Sequence, residues 1–300
     1  MILICVPIGL AAQDQGTQQR AKDPYLALAD SAMGIPPELG SDILIRLAES
    51  SQVTDKTTKI EWLQHAFDMA KAAQFKLRRG VSETPTPEHR FADRMTPGYL
   101  FPDPDAGSMM DALAEGFDTL SLQSRAIGAM MPLDREKALD LFRAVPPLQV
   151  PALSCRDAVG YGVWPYFAML QTVFDHGFTP KDRQAHKDVD FLEDVILHVS
   201  SPFELAPVSD LLLRTRLDAA SRLRLLNAYT RALNGIHADD RSFTITMNAA
   251  LFSGVGRTAF IANDPASSAG LFATLRFYLV RHLTGTRCED CFRKNSSPTL

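Results

Sequence analysis

Positive charge is in short supply in this sequence. Its 300 residues hold 31 Lys and Arg against 35 Asp and Glu, a formal net charge of −4. With a pI near 6.0 and no dense run of Lys and Arg interleaved with aromatics, it lacks the footprint of a nucleic-acid binder. Long apolar runs are missing too. No stretch approaches the ~20 residues that cross a bilayer as a helix, so no transmembrane segment is expected in the mature chain. Alternating apolar and polar residues, the mark of a half-buried strand, never persist over a convincing length. Neither a Gly-x-Ser-x-Gly elbow nor a His-Glu-x-x-His pair occurs, which removes two recognisable hydrolase classes. Cysteine is scarce: Cys5, Cys155, Cys288 and Cys291 are the four. Cys288-x-x-Cys291 has no second paired motif to complete a zinc site, and it follows the last predicted helix instead of opening one as a thioredoxin-like pair does.

What is present is apolar content of 46% with 22% charged residues, the balance of a globular protein. Its spacing is helical. Residues 118–147 read as two helices folded back on each other. Ala138, Leu141, Phe142 and Val145 fall at i, i+3, i+4 and i+7, one face of a helix that Asp134 caps and Pro146-Pro147 ends. Leu122, Ala126, Ala129 and Met130 make the matching stripe before Pro132. Such a pair is an αα-hairpin, and the rest of the chain repeats the unit with variations. The fold expected is all-α, an irregular α-solenoid or array of antiparallel hairpins over residues 23–292. Ala138-Leu139-Asp140-Leu141-Phe142, closed by Pro146, resembles the second helix of a tetratricopeptide or HEAT-like helical repeat. The resemblance covers this one hairpin and implies architecture alone, since no period near 34 residues recurs.

In chain order, Asp23-Pro24 opens a short helix, Ser41 is read as the cap of the next, and residues 55–79 as one long helix closed by Gly80. Residues 80–108 hold five prolines and little periodicity, the signature of a functional or irregular loop. A helix over 164–176 stops at Gly177. Thr179-Pro180, Ser201-Pro202 and Asp264-Pro265 each set a capping side chain before a proline at the first helical position, and their helices are predicted to run to about residues 199, 215 and 283. Residues 217–234 form another, 240–252 a weaker one, and the tail 293–300 is read as frayed.

The N-terminal residues 1–13 carry an apolar run, Ile2 to Leu10, then Ala11-Ala12-Gln13, the h-region and small-residue cleavage site of a secretory signal peptide. The competing reading is a buried N-terminal element. Export, periplasmic or extracellular, brings oxidising conditions, under which one disulfide among Cys155, Cys288 and Cys291 is expected; the sequence does not fix the pair, and Cys155 with Cys288 is favoured because each is followed two residues on by Asp.

Four side chains form the best metal candidate. His186, Asp190, Asp194 and His198 recur every four residues and so share one side of a predicted helix, able to hold a metal if a second helix adds ligands. The alternative is a solvated face with i, i+4 pairs. Asp103 to Gly107 lacks the acidic ligands of a calcium loop, and Gly254-Val255-Gly256-Arg257-Thr258 reads as a turn, not a phosphate cradle. No catalytic residue and no cofactor emerges. The leading expectation is an exported helical scaffold that binds another protein; the alternative is a helical metal-dependent, hydrolase-like enzyme using the Asp190/Asp194/His198 face or the 80–108 loop.

Overall fold

A computed structural model describes residues 23–80, 116–153, 160–237, 242–243, 254–259 and 263–283. Among them helix dominates: α1 Pro24–Ala32, α2 Pro37–Glu49, α3 Lys56–Ala70, α4 Thr119–Met130, α5 Arg135–Arg143, α6 Trp164–His176, α7 Pro180–Gln184, α8 Lys187–Leu197, α9 Pro202–Arg214, α10 Ala219–Gly235 and α11 Pro265–Leu283. The all-α expectation holds at this level.

Local chemistry sets most of the starts. Asp55, Asp118, Asp134 and Asp218 each accept the backbone N–H three residues on, satisfying a donor that the first helical turn leaves without an internal partner. Thr179 and Ser201 form capping boxes with Asp182 and Glu204. Asp264 accepts the Ser267 N–H at 2.8 Å. The α4–α5 hairpin has the predicted boundaries within a residue or two, and α6 has them fully.

Four expectations are corrected. The helix predicted over 55–79 stops at Ala70. Beyond it the backbone is committed elsewhere: the Gln74 N–H bonds to the Glu38 carboxylate at 2.5 Å, and the Phe75 and Lys76 carbonyls accept from Thr119 and Leu120 at the start of α4. Arg78–Gly80 then pairs antiparallel with Gly160–Gly162, Arg79 opposite Tyr161, a short ribbon that no alternation announced. Ser41 caps nothing. Pro37 starts α2, leaving Ser41 mid-helix and buried, its hydroxyl donating to the Ala66 carbonyl of α3 at 2.9 Å. The helix from Thr179 breaks at His186, whose φ of 55° is left-handed, an uncommon conformation for a side-chain-bearing residue. Residues 254–259 are helical, not a turn.

Two hydrophobic clusters form the interior. The first joins α1 to α4 through Leu44, Ile45, Leu63, Phe67 and Ile127. The second joins α8 to α11 through Leu192, Ile196, Leu226, Tyr229 and Leu271. Helix α6 serves both: Met169 and Val173 belong to the first, Phe167, Leu170 and Phe174 to the second. Apolar contact is reinforced by buried polar ties. The Asp42 carboxylate of α2 meets Arg46 at 2.7 Å and Arg125 of α4 at 2.6 Å. Arg183 donates to the Phe174 and Asp175 carbonyls at the end of α6 and pairs with buried Asp188 of α8 at 3.0 Å. One guanidinium thus holds three consecutive helices.

Candidate functional site

The acidic row of α8 meets a row of arginines on α10. Asp190 and Glu193 stand one turn apart, and Arg224 and Arg231 lie seven residues apart, hence on one face of their helix. Arg224 Nη1 reaches Asp190 at 2.7 Å, its Nε reaches Glu193 at 2.7 Å, and Arg231 Nη2 reaches the other Glu193 oxygen at 2.9 Å. The Glu193 and Asp190 carboxylates hold Arg224 above its ordinary value through those hydrogen bonds. This is a cross-helix clamp at the surface, of the modest strength that solvent-screened pairs have.

That clamp decides where the sequence candidates stand. Asp190 is engaged by Arg224. Asp194 and His198 lie 3.6 Å apart, each with 76% of its side chain exposed, and His198 Nδ1 sits 2.7 Å from the Asp194 carbonyl oxygen. This contact engages Nδ1 alone and leaves Nε2 able to ligate, so the bond by itself does not decide against a metal. His186 lies outside the helix, at its left-handed cap, so the four-residue spacing does not make one row. Among the described residues no group of three or more His, Cys, Asp or Glu converges as a metal site. Cys155, Cys288, Cys291, residues 1–13, 81–108 and the tail 293–300 fall outside the described residues. Within residues 254–259, the Thr258 hydroxyl is buried, 2.8 Å from Ser209 Oγ and donating to the Gly254 carbonyl, a packing role.

Burial perturbs two groups nearby. Glu204, 4% exposed, is pushed above the ordinary carboxylate range by burial, although it accepts the Ser200 and Ser201 N–H groups at 3.1 and 2.9 Å. Tyr166 is pushed up to about 12, by burial first and then by the Glu204 and Asp194 carboxylates. The capping box accounts for Glu204 without any catalytic role.

The feature that stands out is on α11. Leu271, Leu275, Tyr278 and His282 are its buried seam, a helical i, i+4, i+7, i+11 series. Phe272, Phe277, Val280 and Leu283 are nevertheless 42%, 57%, 53% and 61% exposed. At 100° per residue these four fall within an arc of roughly 140°, which exposed Arg276 shares. Beside the arc lies a shallow, nearly flat depression of about 440 Å³ lined by Thr230, Arg231, Asn234, Ala273, Thr274 and Phe277. Across Arg231 lies a second, of about 410 Å³, with Leu197, Ser200 and His237 among its walls. Sequence reading missed both Arg224 and Arg231 as partners of the acidic row and the exposure of α11. The available signal was large apolar residues, Phe272, Phe277, Val280 and Leu283, lying off the Leu271–Leu275–Tyr278 stripe of the same helix.

Compared with known proteins, the chain matches no family model, no curated protein and no solved structure. Among the described residues no helix is long and apolar enough to cross a membrane, so membrane burial of α11 as a span does not account for its outer face.

Proposed function

We propose that this chain is an exported, irregular α-solenoid-like scaffold that binds another protein through the face made by α8, α10 and α11. The observation that carries the reading is the arc of Phe272, Phe277, Val280 and Leu283, four large apolar side chains held in water on a helix already anchored by its opposite side. Large apolar side chains clustered at a protein surface are costly to keep hydrated and mark contact sites. Packed hairpins give such a contact a stiff, extended support. The apolar run from Ile2 to Leu10 followed by Ala11-Ala12-Gln13 supports export, and N-terminal sequencing of protein from the native host tests it: a start near Gln13 is expected, an intact Met1 contradicts.

The test of binding is comparative. Tagged full-length protein and a Phe277→Asp, Val280→Asp variant are purified from the native host's envelope fraction. A protein present near stoichiometry with the first and lost with the second is the expected result. Identical co-purifying proteins on both would refute the reading.

A further inference from the structure

We draw no further inference here: the strongest candidate, the exposed apolar face of α11 made by Phe272, Phe277, Val280 and Leu283, carries nothing beyond the scaffold reading, because nothing in the structure shows what covers it.

Discussion

Met169 and Leu170 are neighbours in sequence and face different cores. Met169 is 1% exposed in the cluster that unites α1 to α4, and Leu170 is fully buried in the cluster that unites α8 to α11. Successive residues on a helix point about 100° apart, so one helix packed on two sides welds the two clusters together. Met169→Ala and Leu170→Ala should each cost about 2–5 kcal/mol through the cavity left behind. With Trp164 replaced by Phe, Trp62 of the first cluster becomes the lone tryptophan. Its fluorescence and far-UV circular dichroism should then report one coincident urea transition, shifted by either substitution. A Trp62 transition untouched by Leu170→Ala would mean that the halves unfold independently.

Arg183 is the second weld. Removing it as Arg183→Ala strips the Phe174 and Asp175 carbonyls of a donor and leaves the carboxylate of Asp188, 6% exposed, without its cation. About 2–4 kcal/mol of destabilisation is expected. Arg183→Lys should recover only part of it, because an ammonium cannot serve both carbonyls and the carboxylate with one planar fork. Full recovery by Lys, read from urea midpoints, would contradict the geometry.

The acid limb of stability should carry the signature of the caps. Asp182 is held down to about 2 from an ordinary 3.8 by the Thr179 hydroxyl first, then by Lys187 and the Thr179 N–H. Asp55, Asp218 and Asp264 are lowered by the Thr58 side chain, the Ser221 N–H and the Ser267 side chain respectively, each ahead of other hydrogen bonds. A depressed carboxyl stabilises the fold above its unfolded value, and that contribution disappears as pH falls through the folded value. Asp182→Asn should therefore be less stable than the wild type at pH 7, with the gap closing between about pH 4 and pH 2. A gap that stays constant across that range argues against the assignment.

Glu204 has the opposite sign. Burial raises it above an ordinary 4.5, so the folded protein gains stability as pH falls through the raised value toward the unfolded one. Glu204→Gln keeps an oxygen for the Ser200 and Ser201 N–H groups and removes the buried charge. It should match or exceed the wild type in denaturant at pH 7 and lose that advantage near pH 4.5. A variant that is weaker at pH 7 and recovers on acidification would reverse the sign and refute the account.

Which features the sequence disclosed follows from how local their causes are. Thr179-Pro180, Ser201-Pro202 and Asp264-Pro265 act within four residues, and each marks a true helix start. The end of α3 was not legible, because Gln74, Phe75 and Lys76 are diverted by Glu38, Thr119 and Leu120 from distant parts of the chain. The left-handed His186 carries no Gly or Asn to announce it. Asp190 was visible as an acidic position, whereas its partner Arg224 lies far along the chain and emerges only when α8 and α10 pack. For α11, Phe272, Phe277, Val280 and Leu283 were plain in the letters. That they face outward depends on Leu271, Leu275 and Tyr278 winning the inner side.

The central claim is that this outer side is apolar and accessible in the free protein, and titration with a hydrophobic fluorescent dye measures that most directly. The native full chain should bind the dye saturably at neutral pH. Phe277→Asp with Val280→Asp should lower the bound signal several-fold and leave the thermal midpoint within a degree or two, since exposed positions contribute little to stability. Dye binding unchanged by the substitutions, or a midpoint that collapses with them, would show that the α11 face is covered in solution and would contradict the account.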